Sequence, residues 1–401
     1  MLDAVLRRGQ TLEGAAGRVR GLAPADHALA IAIAGEVFRR LPDLDVLIDG
    51  ATRQRLPDDS KARMVLRLAL AQKLGLGTPD HALVATALPL VDGGPKRLVH
   101  GVLGTLLRRG VSTDEAPHLP PEVEARWRAA WGTSVVEAAR RQIAARPPLD
   151  LSFADDEEAQ AYAREHGGVS LAPRHVRLKS SSVASLPGFG GGRWWVQDLA
   201  ASLPARLIPA DAREVLDLCA APGGKTMQLA AAGHRVTSVD SSESRLGRLR
   251  ENLERTHLAA ELVAADARNW EPGRAVDAIL LDAPCSATGT FRRHPEVLYR
   301  ARPKIVADNA ELQRRLLDRA AQWLKPGGRL VYSVCSLEPQ EGEEVIEGFL
   351  GANSDFAIST KVDLPNFAKP SEQGWVRIVP GLLEAEGGLD GFFIARLVRG
   401  G

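Results

Sequence analysis

The sequence predicts an α/β protein in three parts: an all-helical domain over residues 1–145, a small α+β connector over 146–210, and a doubly wound parallel sheet over 211–401. In the first part, apolar residues recur at i, i+3 and i+4, the spacing of amphipathic helices. Pro147 and Pro148 then stiffen the backbone, as at a hinge. In the last part, short apolar runs alternate with helical segments, which is typical of parallel strands joined by crossover helices.

Composition narrows the class of protein. The chain has 401 residues, 45% of them hydrophobic and 25% charged, which is typical of soluble globular proteins. With 51 basic and 50 acidic residues, any affinity for nucleic acid has to come from a local patch. Three cysteines without zinc spacing predict free thiols and hence a reducing cytoplasm. No targeting segment or membrane span is predicted, because the apolar runs are too short.

Turn and cap signals divide the first part into six or seven predicted helices. The breaks fall at residues 42–43, 57–60, 78–80, 93–95 and 117–121. Residues 1–146 hold 21 basic against 16 acidic side chains. This excess fits either a solvated surface or a surface that faces RNA.

The connector has a mixed pattern. It predicts a strand at 149–153, a polar helix at 155–167, a second strand at 174–179 and a glycine-rich loop at 186–194. Periodicity alone assigns this part no function.

The last part predicts a parallel sheet whose ligands lie beyond the carboxyl ends of its strands. Its strands are predicted at 214–220, 234–240, 261–267, 276–283 and 328–336, with helices at 225–232, 245–257 and 308–324. Asp308 is the predicted N-cap of the last helix. Two further runs, 375–380 and 391–398, have no helix between them and predict an antiparallel pair at the sheet edge.

Three strand ends point to an adenosine ligand. The first strand leads into DLCAAPGGKT, where Gly223 and Gly224 let the backbone approach a ligand at a helix N-terminus, although a tight turn without a ligand is the alternative. The next two strands end in Asp240 and Asp266, which can accept hydrogen bonds from ribose hydroxyls and an adenine amino group. The chain lacks a GxGxxG or Walker-type loop here, so a nucleoside cofactor such as S-adenosylmethionine fits better than NAD or ATP.

Two cysteines follow the fourth and fifth strands. A lone buried cysteine is usually an inert small hydrophobe, but Cys285 and Cys335 are both expected at the carboxyl edge of the sheet. A thiolate that attacks C6 of cytosine makes C5 nucleophilic enough to take a methyl group, and a second thiol can assist release. A thiol with an ordinary pKa is mostly protonated at neutral pH, so the site has to lower that pKa or supply a base.

The segments DLCAAPGGKT, LLDAPCSATGTFRRHP and LVYSVCSLEP closely resemble the signature motifs of Sun-type RNA cytosine-5 methyltransferases. RRHPE, VQDLAA at 196–201, GLDGFF at 388–393 and the helical first part are similar to the bacterial RsmB branch, whose leading domain resembles the antitermination factor NusB. The resemblance spans nearly the whole chain and is strongest over 194–397. It implies a Rossmann-like methyltransferase domain preceded by a NusB-like domain, with small-subunit (16S) ribosomal RNA as substrate.

The resemblance also implies roles for single residues. Cys335 would be the nucleophile, Cys285 would promote release of the methylated RNA, and Asp282 would hold the cytosine ring while lying against the cofactor. Asp240 would bind the ribose of S-adenosylmethionine and Asp266 its adenine. The methionine part would be wrapped by Cys219, Ala220, Ala221, Pro222, Gly223, Gly224 and Lys225.

The chain departs from the family pattern at two positions. Val334 stands where threonine is more common, and Gly342 where asparagine is common. Neither position supplies a thiol, so the departures concern fine positioning of the site.

A basic window at 286–305 is the predicted RNA contact. A loop of this charge beside the cleft can grip phosphates, although a solvated loop is the alternative. Its basic residues, against the single acidic Glu296, are Arg292, Arg293, Arg300, Arg302 and Lys304. Trp194, Trp195 and Phe291 either stack on an unpaired base or pack in the core.

The sequence thus predicts S-adenosylmethionine-dependent methylation of cytosine C5 in small-subunit ribosomal RNA. The alternatives are a transfer-RNA cytosine-5 methyltransferase of the same chemistry and a non-catalytic RNA-binding assembly factor. A NAD-linked enzyme lacks its glycine fingerprint and leaves both thiols unexplained. We expect a cytoplasmic monomer that binds RNA, without a metal and without a membrane.

Overall fold

The computed structural model describes residues 1–179, 183, 186–359 and 363–401. These form two compact units. The helical unit consists of Met1–Ala145 together with Phe291–Arg302, and the sheet unit of Arg146–Thr290 together with Pro303–Gly401. The predicted connector therefore lies in the same compact unit as the sheet rather than in a part of its own. The twelve residues 291–302, predicted as a loop beside the cleft, belong to the helical unit.

The helices and strands of the described residues are as follows. The helices are α1 Leu2–Leu6, α2 Leu12–Ala16, α3 Pro24–Gly50, α4 Lys61–Leu76, α5 Asp80–Ala87, α6 Gly93–Arg109, α7 Pro121–Trp131, α8 Thr133–Ala144, α9 Asp156–His166, α10 Leu199–Ser202, α11 Gly224–Ala231, α12 Glu243–Thr256, α13 Val297–Arg300, α14 Pro303–Gln322 and α15 Glu343–Ala352. The strands are β1 Leu149–Phe153, β2 His175–Leu178, β3 Trp194–Val196, β4 Glu214–Leu218, β5 Arg235–Asp240, β6 Glu261–Ala264, β7 Val276–Asp282, β8 Leu324–Val334, β9 Phe356–Ile358, β10 Val376–Ile378 and β11 Phe392–Arg399. Among the helices described here, none is both long and apolar enough to cross a bilayer.

Helix α3 runs through a predicted break. It covers 27 residues with Pro42 inside, so the boundary predicted at 42–43 is wrong. Pro42 has no N–H to donate to the carbonyl of Phe38 four residues earlier. Tyr299 lies in the segment Phe291–Arg302, and its hydroxyl donates to that carbonyl at 2.9 Å instead. The helix continues because this hydrogen bond is replaced and because its inner face, which includes Phe38 and Leu44, is fully buried.

The inserted segment Phe291–Arg302 completes the core of the helical unit. The ring of Phe291 meets that of Trp127 edge-on, with centroids 5.4 Å apart, and neither side chain is exposed. The backbone N–H of Leu12 donates to the buried carboxylate of Glu296 at 3.4 Å. Two stretches of chain that are far apart in sequence therefore fold as one body.

A double-mutant cycle tests the replacement hydrogen bond. Tyr299→Phe leaves the buried carbonyl of Phe38 without a donor, so we expect the free energy of unfolding to fall by about 1 kcal/mol. In a Pro42→Ala background the helix supplies its own N–H donor, and the same substitution should cost less than about 0.5 kcal/mol. Urea denaturation followed by circular dichroism measures both values. Equal costs in the two backgrounds would show that Tyr299 does not replace the missing donor.

The sheet unit begins with a three-stranded antiparallel sheet in the order β2-β1-β3. The structure confirms the strands predicted at 149–153 and 174–179 and the helix predicted at 155–167. Strand β3 begins at Trp194, the last residue of the segment predicted as a loop. Ala172 packs into the same apolar cluster as residues of the large sheet. Trp195 of β3 packs with Met227 of α11 and Leu249 of α12, so the small sheet contacts the helices of the large one.

The large sheet has the order β10-β11-β8-β7-β4-β5-β6, with β9 paired to β11. Strands β4 to β8 run parallel, and β10 and β11 form an antiparallel pair, as predicted. Strand β11 is also antiparallel to β8. Apolar clusters on both faces make this a doubly wound sheet. Helix α14 begins at Pro303, a residue suited to a first helical turn, so the predicted N-cap at Asp308 is wrong.

Candidate active site

The turn between β4 and α11 holds a cradle that only glycine can form. Gly223 has φ +107°, and a Cβ atom there would lie 2.0 Å from Cδ1 of Leu249. Cys219, at the start of the turn, also adopts the left-handed region with φ +58°. Helix α11 starts at Gly224, so its first backbone N–H groups face the same turn and can receive a polar or negative group.

A buried acid lies beside this turn. Asp217 is fully buried, and its Oδ2 accepts a hydrogen bond from Thr226 at 2.5 Å. Its Oδ1 has no partner among the residues that the structure describes. Burial raises the pKa of Asp217 to about 7, although the Thr226 hydrogen bond opposes this rise. The sequence analysis did not single out this acid, which stands two residues before Cys219.

Asp240 and Asp266 both follow strand ends, as predicted, and both have arginine partners. Asp240 accepts from the backbone N–H of Ala221 at 3.2 Å and from Arg245 at 2.8 Å. Asp266 pairs with Arg268 at 2.5 Å, and this hydrogen bond lowers the pKa of Asp266. A ribose hydroxyl or an adenine amino group has to share these carboxylates with the two arginines.

Asp282 is held from two sides at the end of β7. Lys225 of the glycine turn donates to its Oδ2 at 2.8 Å, and Ser333 of β8 donates to its Oδ1 at 2.9 Å. Ser333 is the register partner of Asp282 across the two parallel strands. The Lys225 ammonium also lies 5.3 Å from the ring centroid of Phe392. The structure thus joins the predicted cofactor turn to the segment LLDAPCSATGTFRRHP through one ion pair, and Ser333 is a contact that the sequence did not reveal.

The two predicted thiols are neighbours. The sulfur atoms of Cys285 and Cys335 lie 3.6 Å apart, and both side chains are partly exposed. The contact with Cys335, together with burial, raises the pKa of Cys285 well above its usual value. Cys285 therefore keeps its proton and can donate it toward the sulfur of Cys335. Burial raises the pKa of Cys219 to about 12, so this third thiol stays neutral.

Hydrogen bonds tie the loops that follow the two thiols to each other. The backbone N–H of Gly289 donates to the carbonyl of Cys335 at 3.0 Å, and that of Leu337 donates to the hydroxyl of Thr288 at 2.9 Å. A Cβ atom on Gly289 would lie 2.0 Å from the carbonyl oxygen of Gly391. The two loops and the start of β11 therefore pack too closely for any larger residue at position 289.

The predicted RNA-contacting side chains do not form one loop beside the cleft. Arg292 is only 1% exposed within the helical unit, so the prediction that it grips phosphate is wrong. Arg300 and Arg302, also in the helical unit, donate to the carbonyls of Gly9 at 2.9 Å and Leu6 at 3.2 Å. Arg292 is buried because apolar residues of the same window, such as Phe291, carry the segment into the helical core.

The other members of the window are divided between the two units. Arg293 is partly buried in the helical unit, whereas Lys304 is exposed in the sheet unit and pairs with Asp308 at 3.1 Å. Trp194, Trp195 and Phe291 are at most 2% exposed. For these aromatic residues the core-packing alternative holds, and none offers a face to an unpaired base.

Comparison with known proteins identifies the family. A model of the 16S rRNA methyltransferase RsmB/F family matches residues 204–398, and one of the NusB family matches residues 1–108. The ribosomal RNA small subunit methyltransferase B of Pectobacterium atrosepticum is 34% identical over 431 residues, covering 100% of this chain and 97% of the relative. The protein of the same name from Xylella fastidiosa is 36% identical over 396 residues, covering 93% and 92%. The chain belongs to the RsmB/F family.

Solved structures agree at the level of the fold. The crystal structure of PH0851 matches with a TM-score of 0.73 at 23% identity, over 96% of this chain and 93% of that one. A methyltransferase homolog protein from Pyrococcus horikoshii matches with a TM-score of 0.58 at 27% identity, over 74% of this chain and 98% of its own. The resemblance read from the sequence motifs is confirmed, and so is a Rossmann-like methyltransferase domain preceded by a NusB domain.

The enzyme is an S-adenosylmethionine-dependent methyltransferase. Its residues fit this cofactor. The cradle at Gly223 admits no side chain, the first turn of α11 presents free N–H donors, and Asp217 leaves one buried oxygen unpartnered next to the turn. Among the described residues, no cluster of three or more His, Cys, Asp or Glu side chains could hold a metal ion.

The raised pKa of Asp217 predicts a pH dependence of stability. The unfolded carboxyl has a pKa of about 3.9, so between about pH 4 and pH 7 the native state holds an extra proton. Its contribution to the free energy of unfolding therefore falls as pH rises through this window and levels off above it. Asp217→Asn keeps the Thr226 hydrogen bond but does not titrate, so its stability relative to wild type should increase from pH 5 to pH 8.

Urea titrations at each pH measure this difference, with Asp211→Asn, at an exposed position, as the matched control. A difference between Asp217→Asn and wild type that stays constant with pH would contradict the assignment.

Proposed function

We propose that this enzyme methylates C5 of a cytosine in 16S ribosomal RNA through a covalent adduct between Cys335 and C6 of the base. The observation that carries the proposal is the 3.6 Å contact between the sulfurs of Cys285 and Cys335, next to the strand end that holds Asp282. The curated relatives are named ribosomal RNA small subunit methyltransferase B, which supports the substrate. When bound, S-adenosylmethionine supplies an electrophilic methyl group.

In the first step the Cys335 thiolate attacks C6 of the cytosine. A carbon–sulfur bond forms, and the electrons of the C5–C6 double bond become available at C5. Cys285 keeps its proton, because contact and burial raise its pKa. Its S–H group can donate a hydrogen bond to the Cys335 sulfur across the 3.6 Å contact.

Asp282 orients the pyrimidine in this proposal. Its carboxylate faces Lys225 on one side and Ser333 on the other, so its plane is fixed before the base arrives. A carboxyl group held in this way can accept a hydrogen bond from the amino group of cytosine, and it can bind N3 when a proton lies between the two. The contact with Lys225 ties this carboxyl to the cofactor turn.

Once C5 has used the electrons of the former double bond to take the methyl group, the C5 proton leaves to a base. The electrons of its bond re-form the C5–C6 double bond, and the bond between C6 and the Cys335 sulfur breaks. The departing sulfur carries the electron pair of that bond, and Cys285 is the nearest acid that can protonate it. The proton moves from the sulfur of Cys285 to that of Cys335, and the methylated RNA is free to dissociate. This transfer gives Cys285 its role in release.

Substitution of each thiol separates the two roles. Cys335→Ala should abolish methyl transfer, because no bond to C6 can form. Cys285→Ala should retain attack but lose release, so a covalent protein–RNA adduct should accumulate and survive denaturing electrophoresis. The double variant is the matched control and should form no adduct. Methyl transfer by Cys335→Ala at the wild-type rate would contradict the proposal.

The choice of polymer has its own test. Purified small subunits, 16S RNA and transfer RNA are incubated in parallel with labelled S-adenosylmethionine, and the labelled base is mapped. Label in 16S RNA supports the proposal, whereas label confined to transfer RNA favours the alternative of the same chemistry. A ribosomal substrate and free thiols are both in keeping with a cytoplasmic enzyme.

The helical unit offers a basic surface for the RNA. The hydrogen bonds of Arg300 and Arg302 to the carbonyls of Gly9 and Leu6 hold these two side chains beside the end of helix α1. Arg7 and Arg8, in the same stretch, have side chains 58% and 65% exposed, and both pair with Asp3. We assign RNA phosphates as the partners of this cluster of four arginines, which carries more positive charge than Asp3 offsets.

Removing two members of the cluster tests this surface. Arg300→Ala/Arg302→Ala should weaken binding of 16S RNA and reduce the slope of log affinity against log salt by about 2, since each phosphate contact contributes about 1. Arg235→Ala is the control, because this exposed arginine lies at the amino end of β5 in the sheet unit. Fluorescence anisotropy across a salt series measures both variants. An unchanged slope in the double variant would exclude this surface as the phosphate contact.

A further inference from the structure

We propose that Glu341 is a positioning residue that sets the distance between the two thiols, an inference that rests on the two-cysteine chemistry proposed above. Its Oε1 accepts a hydrogen bond from the backbone N–H of Ser286 at 2.8 Å. Its Oε2 accepts from the hydroxyls of Ser286 and Ser336, each at 2.5 Å. Ser286 directly follows Cys285, and Ser336 directly follows Cys335. One carboxyl group therefore binds the residue next to each thiol.

The carboxyl group of Glu341 is enclosed in protein. Glu341 and Ser336 are fully buried, and Ser286 is 6% exposed. The backbone around Glu341 is fixed as well, because the hydroxyl of Tyr332 donates to its carbonyl at 2.6 Å. Folded proteins rarely bury a carboxyl group without hydrogen-bond donors. Here three donors bind it, and they come from the loops that follow Cys285 and Cys335, called the thiol loops below. The side chain of Asn309 on helix α14 is a further hydrogen-bond partner of this carboxyl, and the hydrogen bonds given above come from the two loops.

The thiol loops need such a link because each leaves the regular ladder of the sheet. Ala287, two residues after Cys285, has φ +57°, so the backbone there follows no strand geometry. The cross-links at Gly289 and Thr288 hold the loops farther along the chain. Glu341 acts at the residues adjacent to the sulfurs, where a change in separation directly alters the path of the proton. Errors of about 1 Å in such a path can cost about a hundredfold in rate.

The negative charge of Glu341 also affects the thiols, because it favours the protonated form of Cys285. After the contact with Cys335 and burial, the carboxylate of Glu341 is a further cause of the raised pKa of Cys285. Burial raises the pKa of Glu341 itself, while hydrogen bonds from Ser286 and Ser336 oppose that rise. Glu341 thus helps Cys285 to keep the proton that it later passes to Cys335.

Three variants test the inference. Glu341→Ala removes every hydrogen bond to the loops, whereas Glu341→Gln keeps the acceptor for the Ser286 N–H and can donate to the two hydroxyls. Glu344→Gln is the matched control, since Glu344 is exposed on helix α15 a few residues away. We expect kcat for methyl transfer to fall about a hundredfold in Glu341→Ala and about tenfold or less in Glu341→Gln, with KM for S-adenosylmethionine within about twofold of the control.

A second readout measures the separation of the thiols without the reaction. Diamide takes one hydrogen from each thiol and leaves a disulfide, so the protein loses two hydrogens and diamide becomes the hydrazine. The rate of this loss, followed by mass spectrometry, depends on the two sulfurs meeting. It should fall in Glu341→Ala, recover in Glu341→Gln and match wild type in Glu344→Gln. If Glu341→Ala fails to fold, Ser336→Ala removes one of the hydroxyl links and should slow the loss to a smaller extent.

The outcomes separate this inference from the proposed function. Disulfide formation and kcat in Glu341→Ala equal to those of Glu344→Gln would overturn the positioning role. A fall in both that Glu341→Gln partly restores, with cofactor KM unchanged, supports it. If wild type and Glu344→Gln fail to methylate 16S RNA while Glu341→Ala still slows the disulfide, the proposed substrate is wrong and the link between the thiols stands.

Discussion

The pairing of β7 with β8 is the constraint on which the site depends. These strands run parallel, with Asp282 opposite Ser333, so the segments that follow them leave the sheet at the same edge. Cys285 and Cys335 are fifty residues apart in sequence, and this register brings their sulfurs to 3.6 Å. The ion pair of Lys225 with Asp282 and the two loops tied at Gly289 are arranged around that edge. A shift of register by one residue would turn the side chains to the opposite faces and separate the thiols.

Much of the sheet unit could be predicted, because its signals are local. Short apolar runs gave the strands, and the rule that parallel strands present ligands at their carboxyl ends brought both cysteines to one cleft. Glu341 could not be found in this way. It lies in a polar turn whose sequence gives no sign that its carboxyl group reaches back to Ser286, 55 residues earlier. Contacts of this kind depend on tertiary structure, which periodicity does not contain.

For residues 291–302 the sequence predicted an exposed loop, whereas the structure packs them into the helical unit. The surrounding window 286–305 holds five arginine and lysine residues against one glutamate, which suggested an exposed loop, but charge count does not determine burial. The available signal for a buried segment was Phe291, which directly precedes Arg292 and Arg293. In the structure its ring packs against that of Trp127. Likewise, Pro42 is a reliable helix breaker only where nothing else satisfies the free carbonyl, and Tyr299 satisfies it here. Residues 291–302, which follow the Cys285 loop in the sequence, are thus part of the helical unit and contribute to its stability.

The central claim is that Cys335, and not its neighbour, forms the bond to the base. The most direct measurement uses 16S RNA that contains 5-fluorocytidine, whose C5 fluorine cannot leave as a proton, so the adduct cannot resolve. After incubation with S-adenosylmethionine and digestion, mass spectrometry identifies the peptide that carries the nucleotide. We expect a single modified cysteine, Cys335. A nucleotide attached to Cys285, or methylation of ordinary 16S RNA with no adduct to the fluorinated RNA, would contradict it.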